Sequence, residues 1–443
     1  MTVKHQGYAL LSAIVALVVA LSAAIYVGAD YVGAAADRGP GHRRSVDIAA
    51  GGSGRAAPVS TGVWVGSWAA APVGAEPGTE AGLADRTVRN VVHTSVGGTS
   101  ARVTLSNLYG ARPLTVTHAT LAVAAAENSA AADPGRLRRL TFGGATTVVV
   151  PAGEQAVSDA VALAVPADAD VLVSVYSPTS AGPVTYHPNT RQTGYVAVGE
   201  STEDVTGAAF TAAGTRWRYL TALDVLGDEA DGTVVAFGDS ITAGVTSTVG
   251  RNRRWPDVLA DRLRTTADAQ GDAPRYGVVN AGISGNQVLV DDDARGLHRF
   301  ERDVLDRANV KVVVIDLGVN DILRNRALAD PQAIVAGLRT LVDRAHARGV
   351  KVVGATLTPF RGHARYTAAR EDVRQQINRA IRTGTLFDEV VDFDKALRDP
   401  YDPRSLRAEY DSGDRLHPSD RGYRKMAQTV DLAELKGSAP ARL

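Results

Sequence analysis

The stretch Thr233-Val-Val-Ala-Phe-Gly-Asp-Ser240-Ile-Thr-Ala-Gly244 decides the fold. Residues 233–237 are β-branched or apolar without alternation, the pattern of a strand covered on both faces. The run stops at Gly238-Asp239-Ser240, and a helical period begins at Trp255. A strand that ends on Gly and presents a hydroxyl at its carboxyl end suits nucleophilic catalysis, because open parallel sheets bind ligands at that edge. Taken alone, Gly-Asp-Ser is ordinary turn chemistry. Thr242 stands where a Gly-x-Ser-x-Gly elbow needs its second glycine. No Gly-Lys-Ser/Thr follows, so the turn is not a phosphate loop.

Downstream, strands and helices alternate. Strands are expected at 276–280, 310–317, 350–357 and 389–393, and helices at 255–266, 296–308, 331–348, 367–382 and 419–433. This alternation predicts an α/β region over 231–443, a three-layer flavodoxin-like parallel sheet with right-handed crossovers. Upstream, residues 61–230 carry short alternating segments such as Gly62-Val-Trp-Val-Gly-Ser-Trp68, separated by turns rich in Gly, Pro, Asn and Asp. That pattern predicts an all-β sandwich or jelly-roll-like domain. Residues 37–60 have the composition of a flexible linker. Residues 1–36 pair Lys4 and His5 with an apolar run over 8–28. This predicts an export signal peptide, or a membrane anchor through residues 8–28, with the remainder outside the cytoplasm.

Composition narrows the chemistry. The 443 residues carry 48 basic and 48 acidic side chains, so there is no global charge to attract nucleic acid. Cysteine is absent, which excludes disulfides, thiolate nucleophiles and zinc–thiolate sites. No His-x-x-x-His or Glu-x-x-His spacing occurs, and no metal site is expected. The run Asp291-Asp292-Asp293 reads as a solvated loop rather than a calcium site.

Three further stretches fall at strand ends of the α/β region. Val279-Asn280-Ala-Gly-Ile-Ser-Gly285-Asn286 follows the second strand and Gly318-Val-Asn320-Asp321 the third; Asp414-Arg-Leu-His417-Pro418 precedes the last helix. Together with Gly238-Asp239-Ser240 these four blocks, in this order, resemble the SGNH (GDSL) hydrolase superfamily, named for Ser, Gly, Asn and His in four such blocks. The resemblance covers roughly residues 233–433. More loosely, the upstream half resembles the β-domain that precedes this hydrolase in some secreted bacterial members.

The resemblance implies a serine esterase or acylhydrolase working without a cofactor. Ser240 would be the nucleophile, which needs a base to take its proton. His417 would be that base, imidazole being the side chain whose ordinary pKa lies nearest neutrality. Asp414 would orient the imidazole and stabilise its charged form. The oxyanion donors would be the N–H groups of Ser240 and Gly285 and the side-chain amide of Asn320. Gly282 competes with Gly285 within its block, and the family's spacing selects Gly285. Asp239 and Asp321 are expected to hold loops, Asp257 to serve the first turn of its helix, and Arg251, Arg253 and Arg254 to rim the substrate entrance. The expected substrate is a carboxylic ester, with an acetylated carbohydrate or small alcohol as the first candidate. The alternatives are a lipid ester, as for a lipase, phospholipase or thioesterase, and an inactive cell-surface binding protein. The sequence leaves acyl length and oligomeric state open.

Overall fold

The computed structural model describes residues 62–227, 230–270, 273–289 and 295–437. The expected export segment and linker, and the run 291–293, lie outside the described residues. No helix among the described residues is long and apolar enough to cross a membrane.

The second half is built on five parallel strands: β1 (Gly232–Gly238), β2 (Tyr276–Gly282), β3 (Val310–Asp316), β4 (Lys351–Ala355) and β5 (Glu389–Val391). Their order is β2-β1-β3-β4-β5, the flavodoxin-like arrangement in which the chain reverses direction across the sheet beside β1. Every residue of β1 is buried, so its two side-chain sets face two cores. Val235, Phe237, Val313 and Ile315 pack against Phe300, Leu338, Leu341 and Ile377. Val234, Ala236, Val312 and Val314 pack against Trp255, Leu259, Tyr423 and Met426 on the other face. This explains the unbroken apolar runs: a strand covered on both faces has no polar side to write.

The helices are α1 (Ser240–Ala243), α2 (Trp255–Gln270), α3 (Gly296–Phe300), α4 (Val319–Arg324), α5 (Pro331–His346), α6 (Ala368–Arg382), α7 (Phe393–Leu397) and α8 (Asp420–Thr429). Helix α3 runs on into a π turn at Glu301–Leu305. Several starts obey simple capping chemistry. Asp330 accepts from the N–H of Gln332 ahead of Pro331, Thr367 from that of Arg370, and Ser419 from that of Gly422. Three short helices, α1, α4 and α7, are not among the expected elements, being four to six residues long. Asn320-Asp321 therefore opens a helix instead of forming a plain turn.

Residues 63–227 are strand-rich. Val63–Ala69, Leu220–Gly227, Gly98–Ser106 and Val161–Val165 form one antiparallel sheet, with Gln155–Val157 alongside. Thr211–Ala212, Tyr195–Val198, Arg86–His93, Asp170–Ser177, His118–Ala124 and Ala132–Arg139 form a second, also antiparallel. Side chains of both sheets share one core, among them Val65, Val103 and Leu223 with Val88, Leu121 and Val173. On the second sheet Val91, Ala122 and Leu172 turn to the opposite face, the two-residue period of a pleated strand. Ala132–Arg139 includes Asp133-Pro134-Gly135, a combination that reads as a turn in sequence. The edge position of this strand tolerates the missing N–H of Pro134.

The two regions pack directly on one another. The N–H of Gly66 donates to Thr233 Oγ1 at 2.9 Å, and the N–H of Val278 donates to Ser95 Oγ at 3.0 Å. Strand Val63–Ala69 approaches β2 so closely that a Cβ on Gly277 would strike the carbonyl oxygen of Gly66. Ala69 and Ala222 from the strand-rich region join the core around Phe237.

Candidate active site

The carboxyl end of β1 is shaped by close packing. A Cβ on Gly238 would collide with Thr242 and with the carbonyl of Asp316, so glycine is required there. The carboxylate of Asp239 caps α1, accepting from the N–H of Ile241 at 2.9 Å. Ser240 opens that helix, so its N–H has no acceptor within it. Gly244 ends the helix in the left-handed region at φ 81°. Ser240 is buried at 8% exposure and borders a cavity of about 380 Å³.

His417 and Asp414 reach this point on the loop before α8. Asp414 accepts from the N–H groups of Leu416 (2.9 Å) and His417 (2.8 Å), so one carboxylate both folds the turn and meets the ring. His417 Nδ1 lies 2.6 Å from Asp414 Oδ2, and Nε2 lies 2.8 Å from Ser240 Oγ. Partial burial would raise the Asp414 carboxyl, but the bonds from the His417 ring and the two N–H groups outweigh it and hold the group below the usual range. The ring itself is largely shielded, its side chain 15% exposed.

Asn320, in the first turn of α4, is buried and borders the same cavity. Its Nδ2 donates one hydrogen to Asp239 Oδ2 at 3.0 Å, which orients the amide and leaves its second hydrogen for another acceptor. Gly285 also lines the cavity, at φ 77°, and its N–H has no partner among the described residues. Gly282 is placed differently: a Cβ there would strike the backbone of α1, so this glycine serves packing. The cavity therefore receives Ser240, Gly285, Asn320 and His417, with Asp414 behind the ring.

Behind the cavity the acids form a buried set. Burial first, and the neighbouring Asp316 carboxyl second, push Asp239 well above the usual carboxylate range. Burial pushes Asp316 up to about 7, against the hydrogen bond from Thr242. Burial likewise raises Asp321 to about 6, although the N–H groups of Val288 and Leu289 donate to it at 2.8 and 3.0 Å. Asp321 thereby ties the Gly285 loop to α4, and Asp239 ties Ser240 to Asn320.

The basic rim is not where sequence proximity put it. Arg254 is buried and held by Asp257 through bonds of 2.7 and 2.8 Å, and its own N–H donates to the same carboxylate at the start of α2. Arg253 pairs with Asp420, and Arg251 and Arg253 line a different cavity. The cations at the Ser240 cavity are Arg324 and Arg365. The strand-rich region also contributes: Asn189, just past strand Thr185–Pro188, lines the cavity. Its loop is fixed there, because Gly250 N–H donates to the carbonyl of Arg191 at 2.7 Å and Gln192 Nε2 to Asn252 Oδ1 at 2.7 Å.

One residue behind the site has no motif to announce it. Arg299 is fully buried and donates to the carbonyls of Gly238 (2.9 Å) and Ala281 (2.7 Å) and twice to Asn286 Oδ1 (3.0 and 2.8 Å). It thus clamps the residue two before Ser240 to the residue after Gly285. Its counter-ion, Asp303, also receives Arg302 and Arg307, and Arg307 reaches the carbonyl of Thr221 in the strand-rich region. Burial lowers the Arg299 guanidinium to about 10 despite Asp303, leaving it protonated at neutral pH. The available signal was Arg299 and Asp303 four apart in a helix otherwise lined by Phe300 and Val304.

No curated protein matches this chain. Among solved structures, a GDSL-like lipase from Bacteroides thetaiotaomicron is 20% identical, covering 45% of this chain and 85% of that one, with a TM-score of 0.34. A carbohydrate acetylesterase from Sinorhizobium meliloti is 18% identical, covering 44% of this chain and 94% of that one, with a TM-score of 0.34. A model of the GDSL-like lipase/acylhydrolase family matches residues 236–425, a span that holds Ser240, Gly285, Asn320, Asp414 and His417. By that match, residues 236–425 are a GDSL-like lipase/acylhydrolase domain.

Proposed function

We propose that this protein is an exported serine ester hydrolase that removes short acyl groups, acetyl foremost, from a carbohydrate or small alcohol. The observation that carries the reading is the unbroken hydrogen-bond chain Asp414–His417–Ser240 opening on a cavity. Ser240 Oγ attacks the ester carbonyl while His417 Nε2 takes its proton. The oxyanion is met by the N–H groups of Ser240 and Gly285 and the free N–H of the Asn320 amide. His417 then gives the proton to the departing alcohol. Water, deprotonated by the same nitrogen, releases the acid from Ser240.

Short acyl groups suit the lining. Its aliphatic side chains are Val245, Leu323 and Leu416, too little surface to cover a long chain, while the rest of the wall is glycine and polar or charged residues, among them two arginines and two histidines. The strand-rich region is read as a sandwich that supplies Asn189 to the alcohol side. Export is inferred from the apolar run over 8–28 behind Lys4.

Purified protein should release p-nitrophenol from p-nitrophenyl acetate, with turnover falling from acetyl to octanoyl to palmitoyl esters. Ser240→Ala should abolish turnover with the fold intact. Undiminished turnover in that variant would reject the assignment. The N-terminus of protein recovered from culture medium tests export, and an intact Met1 there would refute cleavage.

A further inference from the structure

Most arginines near this site are neutralised. Arg254 has Asp257, Arg299 has Asp303, and Arg415 has Asp411. Arg324 differs. It is exposed at the cavity and, among the described residues, makes no hydrogen bond or ion pair. Its position follows from helix geometry. Asn320 and Arg324 are four apart on α4, so both project from one face, toward the Ser240 cavity. The guanidinium lies directly over Gly285, where any side chain would collide with it. Arg365 stands on the same wall, holding only the carbonyl of Leu323 at 3.3 Å with one of its five N–H groups. No carboxylate lines the cavity among the described residues, and Asp414 is engaged behind His417. Two cations therefore face the cavity with no carboxylate paired to either among the described residues.

We infer that Arg324, seconded by Arg365, selects esters that carry a carboxylate close to the scissile bond. The inference rests on the ester-hydrolase reading above and names the substrate class of that site. A guanidinium presents a planar fork that a carboxylate matches with two parallel hydrogen bonds, an arrangement a neutral ester cannot use. The carboxylate can sit on either side of the ester: on the acyl group, as in a dicarboxylic half-ester, or on the alcohol, as in an acetylated uronic acid.

The test uses two pairs that differ only in charge. One pair is mono-p-nitrophenyl glutarate and its methyl ester, read by p-nitrophenol release. The other is acetylated galacturonic acid and its methyl ester, read by acetate release. Full-length protein at low ionic strength should show kcat/KM at least tenfold higher for the free acid in one of the pairs. In that pair Arg324→Met should reduce the acid-to-neutral ratio about tenfold, Arg324→Lys should keep part of it, and 0.5 M salt should weaken it in the parent protein. Because Arg324 is exposed and unpartnered, its exchange leaves the fold in place, which matching unfolding midpoints check. A ratio within twofold of unity in both pairs overturns the inference while leaving the ester-hydrolase reading intact. So does an unchanged ratio in Arg324→Met. Failure to cleave any of the four esters overturns the reading and the inference together.

Discussion

Replacing Arg299 by methionine puts the buried clamp to the test. Methionine keeps an unbranched apolar chain against Phe237, over whose ring the guanidinium carbon now sits at 4.1 Å. It removes donors to three acceptors, Gly238 O, Ala281 O and Asn286 Oδ1. Gly238 O keeps the N–H of Ile283 at 3.1 Å, and Asp303 keeps Arg302 and Arg307. The change therefore strands no lone charge, and the full penalty of a broken buried ion pair does not apply. Hydrogen bonds from a charged donor are worth about 1.5–3 kcal/mol each, offset by the relieved desolvation of the guanidinium, so a net loss of about 3 kcal/mol is expected. Gly238 leads into Ser240 and Asn286 follows Gly285, so the loss also loosens the two N–H groups proposed as oxyanion donors. A misplacement of about 1 Å can cost about 100-fold in rate. Urea unfolding should give a lower midpoint at unchanged slope. Well below that transition, kcat for p-nitrophenyl acetate should fall about 10- to 100-fold with little change in KM. Arg299→Lys should restore only part of either, since an ammonium cannot span the three acceptors. Parental stability and parental kcat in Arg299→Met would refute the reasoning.

Three further outcomes are expected. Gly285→Ala must hold a Cβ at φ 77° and push the Arg324 guanidinium aside, a strain of about 1–3 kcal/mol, so the unfolding midpoint should fall in thermal melts and kcat/KM should drop about 10- to 100-fold in steady-state kinetics. Asp414→Asn removes the charge opposite the imidazolium, and kcat at pH 7 should fall about 100- to 10,000-fold, as read from initial rates across pH. Asp316, whose folded value of about 7 exceeds the unfolded value of about 3.9, binds its proton more tightly when folded. Its contribution is complete below pH 4 and is lost as pH rises toward 7, so Asp316→Asn should flatten that part of the stability–pH curve in denaturant titrations.

The parallel sheet was legible because buried stretches such as 233–237 and 312–315 are apolar or β-branched without alternation and lie between helical patterns. The candidate site was legible because Ser240, Gly285, Asn320, Asp414 and His417 each sit in a short block just past a strand or before a helix, and the structure brings those blocks together around one cavity. What escaped depends on tertiary placement. Arg254 adjoins the Ser240 loop in sequence yet turns inward to Asp257, while Arg324 reaches the cavity from 84 residues beyond Ser240. Asn189 arrives from the other region altogether. Arg299 looks like any helix-surface charge until the fold surrounds it. Strand Ala132–Arg139 hides behind Asp-Pro-Gly because only an edge position tolerates that proline.

The most direct measurement is covalent labelling of the native protein with a fluorophosphonate, followed by peptide mass spectrometry. The account predicts one adduct, on Ser240, formed in step with loss of esterase activity and abolished by His417→Ala. An adduct on a different residue, or complete inhibition with Ser240 unmodified, would contradict it.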